Sequence, residues 1–317
     1  MKLKIWLNIW LDKYEKHSVK FRTFLKYQEI IEKHINPILG KYELIDLNYE
    51  IIQDFVIEKI EHGNLLNHTG LSTNTVLSIV SVLKQSLKQA IMLKIIPDNP
   101  MSFVKVPVSK EKEVCSFDRK EQGIIEQFCL NHSRINYIGI VICLYTGIRL
   151  GELLALTWDD IDFEKKTMKI NKTSFFSKGK IHIDAPKTKC SNRVIPLPQK
   201  LLVILKKQYK KSKSIYIIST KKNMMVSIRS YQKTFASILR KCHIPYRNFH
   251  SLRHTFATRA IEMGMDVKTV SEILGHKNSM ITLTRYSHSL FEYKVEMMNK
   301  MCSLINEKNN VLNEKNK

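Results

Sequence analysis

Acidic residues are scarce in this chain. It has 29 Asp and Glu against 52 Lys and Arg, a formal net charge of +23. An excess of that size is self-repelling unless a polyanion relieves it, so nucleic acid or an anionic membrane face is the expected partner. A ribosome-associated or simply lysine-rich protein has the same balance. Long apolar runs are missing too. No stretch of about 18 apolar residues occurs, so nothing is expected to span a bilayer. The opening MKLKIWLNIWLDKY is interrupted by Asn8, Asp12 and Lys13 and precedes no small-residue cleavage site. It reads as an amphipathic helix with Trp6 and Trp10 facing a core. The six cysteines (115, 129, 143, 190, 242 and 302) form no CxxC pair. That argues against a disulfide scaffold or a thiolate metal site and for the cytoplasm. Cys143, within YIGIVICLY, is most simply a small core residue.

Two cofactor signatures are also absent. His250 and His254 stand i and i+4, but HSLRH lacks the glutamate of HExxH and puts Arg253 between them. No GxxxxGK[ST] run is present to cradle a nucleoside triphosphate. Metal-dependent nuclease and ATPase readings both weaken, and no cofactor or metal is expected. The chain shows no internal repeat.

A chain of 317 residues can hold two domains with separate cores. The first hundred read as helices. Over 19–35, Phe21, Phe24, Leu25, Ile31 and Ile35 share one face. After Ser72 and Thr73 the helical spacing of Val76, Val80, Leu83, Leu87 and Ile91 continues until Pro97 and Pro100 stop it. The expected organisation is a helical domain over 1–106, a linker over 107–114, a second domain over 115–308 and a polar tail over 309–317. Helical patterns at 117–131 and 134–145 lead into TGIRLGELLAL. The segment from Phe163 to Pro198 then alternates as three short antiparallel strands, and after 198 the pattern returns to helix. The fold class is therefore mainly α with a small antiparallel sheet (α+β).

Several clusters carry chemistry. Arg149 and Glu152 are adjacent at i and i+3, which by itself describes a surface ion pair worth a few tenths of a kcal/mol. His250 and Arg253 share a helical face with His254 one step on, an arrangement suited to gripping an anion. Gly264 stops that helix. Asp266 is a plausible N-cap for VKTVSEIL, which ends at Gly275. In PKTKCSNRVIPLP, Lys187, Lys189 and Arg193 make a basic turn that would lie against a phosphate backbone. One lysine there could also donate a proton. Tyr286 lies ten positions after His276 in LGHKNSMITLTRY. On its own it would be a half-buried aromatic anchoring a helix.

Taken in order, TGIRLGELLALTWDDID, PKTKCSNRVIPL, HSLRHTFAT and LGHKNSMITLTRYSH resemble the tyrosine recombinase (phage integrase) family. The helical first hundred residues resemble its core-DNA-binding domain, so the likeness covers nearly the whole chain. It implies Arg149 and Arg253 as catalytic arginines, Glu152 as support for the first, and Lys187 as the hairpin lysine, with Lys189 the alternative. It implies His250 and His276 as the histidines and Tyr286 as the nucleophile. The step from His276 to Tyr286 is one residue longer than in some members. No match to the arm-binding domain of larger integrases precedes the core-binding helices, so arm-site binding is not an expectation here. LFEYKVEMMNKMCSLI (290–305) would dock into a neighbouring protomer, giving a tetramer on double-stranded DNA. An accessory DNA-bending or directionality factor is compatible with the same likeness.

The residue chemistry suits that assignment. A free tyrosine has a pKa near 10 and is a poor nucleophile at neutral pH. Two guanidiniums on the nonbridging oxygens offset the charge of the transition state and ease phenolate attack. A lysine can protonate the departing 5′-oxygen while histidines position and exchange protons. Two rivals share parts of this pattern: a catalytically silent DNA-binding accessory protein and a type IB topoisomerase.

Overall fold

The computed structural model describes residues 1–107, 116–132, 134–177, 179–184, 192–276, 278, 295, 298 and 299. The chain divides into two compact units, Met1–Lys112 and Glu113–Lys317.

The first unit is helical: α1 (Leu3–Trp10), α2 (Phe21–Ile30), α3 (Asn36–Leu39), α4 (Tyr49–His62) and α5 (Thr73–Met92). Trp6 and Trp10 are buried as the spacing predicts. The Trp6 indole N–H donates to the Ser86 carbonyl at 3.1 Å, so the amphipathic start is fastened to α5. Asn48 and Ser72 cap α4 and α5 by accepting from Ile51 N and Thr75 N. The helix expected over 19–35 is present as α2 and a π-turn at Ile31–Ile35, and the helical backbone runs on into α3. Within it Ile31 and Ile35 are buried, whereas Phe21 at its start is exposed.

The second unit begins with α6 (Arg119–Asn131), opened by an Asp118–Glu121 capping box, then α7 (Ile138–Thr146) and α8 (Leu150–Ala155). Strands β1 (Ile161–Asp162), β2 (Thr167–Ile170), β3 (Thr173–Ser177), β4 (Lys180–Asp184) and β5 (Arg193–Pro196) follow. Helices α9 (Gln199–Tyr209), α10 (Ile228–Lys241), α11 (His250–Glu262) and α12 (Val267–Leu274) complete the described elements.

The protein is thus mostly helical with small antiparallel sheets, but among the described residues the strands are five, not three. A sheet of order β1-β2-β5 pairs Met168 with both Ile161 and Ile195, and β3–β4 forms a separate hairpin inserted between β2 and β5. One run of alternating residues had concealed two sheets because period-2 patterning reports faces, not partners. Helix does not persist after residue 198 either. Tyr216 forms an isolated antiparallel bridge with Thr157, with Trp158 N to Ile215 O at 3.0 Å and Ile217 N to Leu156 O at 3.1 Å. The apolar SIYII run buries Ile217 and Ile218 completely in this way.

α7 is buried nearly all round, as its unbroken IGIVICLY run dictates, and α11 packs against it. Burial pushes the Cys143 thiol far up, which suits an inert core residue. Near the start of the unit, Phe117 N donates to Thr255 Oγ1 at 2.9 Å and Phe117 O accepts from Arg259 Nη2 at 2.9 Å. The chain is thereby fastened to the buried side of α11. Among the described residues, no helix is long and apolar enough to cross a membrane.

Candidate active site

Two helix ends build the site. α7 stops at Gly147, which has φ +63°, and α12 stops at Gly275, which has φ +66°. That left-handed conformation strains any residue with a Cβ. Space forbids one as well: a Cβ would lie 2.5 Å from a Phe256 ring carbon at Gly147 and 2.9 Å from Arg193 Nη1 at Gly275. The glycines of TGIR and LGH are therefore geometric requirements. After Gly147 the chain turns directly into α8, with Arg149 at its N-cap and Glu152 in its first turn.

The end of α12 shows what the arginines hold. Gly275 N–H reaches Glu272 O and His276 N–H reaches Ser271 O, both at 3.0 Å, the paired bonds of a Schellman motif. Three successive carbonyls remain, and each meets a different arginine. Ile273 O accepts from Arg193 Nε at 2.6 Å, Leu274 O from Arg253 Nη2 at 2.7 Å, and Gly275 O from Arg149 Nη2 at 3.2 Å. Arg253 also donates through Nη1 to Gly147 O at 2.9 Å, spanning both helix ends. Its guanidinium is buried, and the partial negative charge of two helix C-termini helps to keep it there.

Glu152 offsets part of the cluster's charge. Arg149 donates to its carboxylate through the backbone N–H at 2.9 Å and Nη1 at 2.8 Å. Arg193 donates to it through Nη2 at 2.9 Å and Nη1 at 3.2 Å. Burial pushes the Glu152 carboxyl up, but hydrogen bonds and charge from Arg193, followed by Arg149, outweigh this and hold it below its ordinary value. Arg149–Glu152 is accordingly no surface pair, because the Glu152 side chain is only 5% exposed.

His250 opens α11 and is exposed, one turn before buried Arg253, and its ring meets that of His254 edge-on at 4.6 Å. His276 is half-buried and directly follows the capped end of α12. Arg149, Glu152, Arg253 and His276 are thus drawn to one place by α8, α11 and α12. Lys187, Lys189 and Tyr286 lie outside the described residues. So does the 290–305 segment, apart from Val295, Met298 and Asn299.

Arg193 corrects the sequence reading. The basic turn of PKTKCSNRVIPLP suggests a backbone contact for it, yet its side chain is 7% exposed and turned onto Glu152. Strand alternation held the signal: Ile195 and Leu197 are buried while Val194 is 61% exposed, so Arg193 belongs to the inward face. Among the described residues, no group of three His, Cys, Asp or Glu is placed to hold a metal.

A helical unit followed by a mixed unit with guanidiniums gathered on a buried carboxylate and two helix ends defines a protein built to handle an anion. Comparison with known proteins makes the class specific. Residues 118–293 match the model of the phage integrase family, and residues 2–60 match the phage integrase N-terminal SAM-like domain. A tyrosine recombinase XerC-like protein of Caldanaerobacter subterraneus subsp. tengcongensis is 31% identical over 92% of this chain and 81% of its own. The ICEBs1 integrase of Bacillus subtilis is 26% identical over 87% of this chain and 76% of its own. Among solved structures, the Tn1549 transposon integrase in complex with a circular intermediate DNA superposes with a TM-score of 0.80. It is 22% identical and covers 95% of this chain and 99% of that one. A lambda integrase dimer bound to a core site gives 0.71 at 19% identity, over 90% and 95% of the two chains. The chain belongs to the phage integrase family, whose members are tyrosine recombinases, and it is an enzyme of that family.

Proposed function

We propose that this protein is a site-specific DNA recombinase that serves the integration or excision of a mobile element, cutting and rejoining strands through a 3′-phosphotyrosyl intermediate. The observation that carries the reading is the arrangement of Arg149 and Arg253, held by Glu152 and the ends of α7 and α12 beside His276. Two guanidiniums fixed before substrate arrives need no reorganisation as charge develops on a phosphorane.

In this scheme Tyr286 Oη attacks the scissile phosphorus while Arg149 and Arg253 hold the nonbridging oxygens. The P–O5′ bond breaks and the departing 5′-oxygen takes a proton from Lys187, or from Lys189 if that is the hairpin lysine. His250 and His276 position the phosphate and exchange the tyrosine proton. Attack by the 5′-hydroxyl of the exchanging strand releases Tyr286, and the ester bond energy retained in the adduct makes ATP unnecessary.

Residues 1–106 serve as the core-DNA-binding domain in this reading, 107–114 as the linker, 115–308 as the catalytic domain and 309–317 as a tail. Lysines and arginines on both domains supply salt-sensitive affinity for duplex DNA. The 290–305 segment joins protomers into a tetramer on DNA, an accessory bending or directionality factor sets direction, and the reaction takes place in the cytoplasm. Relatives support the DNA partner: the solved Tn1549 and lambda integrases are DNA complexes, one of them a lambda integrase tetramer on a Holliday junction.

Nicked suicide duplexes drawn from a random library provide the test. Wild type should leave a denaturation-resistant protein–DNA adduct, and sequencing the trapped DNA identifies the site. No adduct on any duplex, or an undiminished adduct with Tyr286→Phe, refutes the reading. Relaxation of arbitrary plasmids would favour a topoisomerase.

A further inference from the structure

Arg193 stands outside the catalytic set just described, yet it makes the most enclosed ionic contact of the site. Its guanidinium meets both Glu152 oxygens end-on through Nη2 and Nη1, at 2.9 and 3.2 Å, and its Nε holds Ile273 O at 2.6 Å. One planar group therefore joins β5, the first turn of α8 and the last turn of α12. Glu152 passes the constraint to Arg149, and Ile273 lies three residues before His276. Gly275 packs against the same guanidinium so closely that a Cβ would lie 3.1 Å from Cζ.

We propose that Arg193 is a positioning residue for strand cleavage, one that fixes Arg149 through Glu152 and His276 through the end of α12 and leaves the DNA backbone to other cations. The inference rests on the recombinase reading above. A lysine could not replace it fully, because a point charge cannot satisfy two carboxylate oxygens and a carbonyl in one plane. Among the described residues, Arg149 from its own turn, Arg193 from β5 and the Cys143 thiol from α7 face Glu152. Arg193 contributes the largest effect keeping that carboxylate ionised.

The test uses the full chain on the duplex trapped by wild type, in single turnover at saturating protein, with DNA affinity measured against salt. Arg193→Gln should slow adduct formation by about 10- to 100-fold, the scale of a near-1 Å misplacement of a catalytic group. Affinity and its salt slope should stay at wild-type values. The acid limb of the rate profile should move to higher pH. In a Glu152→Gln background the same substitution should cost much less, since the two residues act as one unit. Arg193→Lys should recover part of the rate; it also serves as the probe if Arg193→Gln does not fold.

The inference is overturned if Arg193→Gln, or Arg193→Lys in its place, cleaves at the wild-type rate. A salt slope reduced by about one, the mark of a lost phosphate contact, overturns it as well. Equal cost in the Glu152→Gln background would do the same. Wild type and Tyr286→Phe run alongside: a wild-type adduct that is indifferent to Arg193 refutes this inference alone, whereas loss of the tyrosine dependence refutes the underlying reading.

Discussion

Removing the Glu152 carboxylate should be among the most damaging single changes in the second unit. Its two oxygens receive four donors from Arg149 and Arg193. Glu152→Ala leaves the Arg193 guanidinium, 7% exposed, without its counter-charge. Breaking a buried pair in this way costs about 3–5 kcal/mol. For a unit of this size each kcal/mol lowers Tm by about 2–4 °C, so a fall of about 6–20 °C is expected. Glu152→Gln should cost less, because the amide oxygen still accepts from one arginine while its NH2 faces the other. The pH dependence supplies an independent check. The folded carboxyl lies below its ordinary value, so its stabilisation is fully present above the unfolded pKa, about 4.3, and is lost as pH falls through the folded one. Calorimetry of wild type and both variants at a series of pH values measures both effects. A drop below about 3 °C for Glu152→Ala, equivalent to roughly 1 kcal/mol, would refute the buried-pair argument. So would an acid-side slope in Glu152→Gln matching that of wild type.

Two further outcomes follow from the same geometry. Gly275→Ala must place a Cβ residue at φ +66° and 2.9 Å from Arg193 Nη1. The backbone part alone costs about 1–2 kcal/mol, and adduct formation should fall by more than the shift in urea midpoint accounts for, because Arg193 is displaced. Thr255→Val keeps its shape but removes the acceptor for buried Phe117 N–H. It should destabilise by about 1–3 kcal/mol in denaturant unfolding, and an unchanged midpoint would show that this bond does not fasten the chain to α11.

The parts of the fold that rest on local chemistry were legible in the sequence. Asp266 and Gly275 bound α12 because a side-chain oxygen must meet the first N–H groups and a residue without Cβ must turn the last ones. Trp6, Trp10 and Cys143 are buried because their segments are apolar at helical spacing or throughout. The inserted β3–β4 hairpin and the Thr157–Tyr216 bridge were not legible, since partner choice between strands depends on residues distant in sequence. The clustering of Arg149, Glu152, Arg253 and His276 could be expected only through family likeness. Their spacing says which side chains share a turn, and nothing in it says that the start of α8 meets the end of α12.

Why three guanidiniums tolerate one another is the physical crux of the site. Their mutual repulsion in a partly dry pocket would ordinarily expel them or demand an anion. Here a single carboxylate offsets part of that charge, and the rest meets dipoles: the carbonyls of Gly147, Ile273, Leu274 and Gly275, at the C-terminal ends of two helices. Carbonyl dipoles stabilise cations without cancelling their charge, so the pocket keeps a positive field for an incoming phosphate. A second buried acid in place of those carbonyls would stabilise the arginines equally well, yet it would consume the field that a phosphorane needs. The two helix stops at Gly147 and Gly275 therefore shape the electrostatics as much as the backbone. Each lets a helix end where its unpaired carbonyls face guanidiniums and not water.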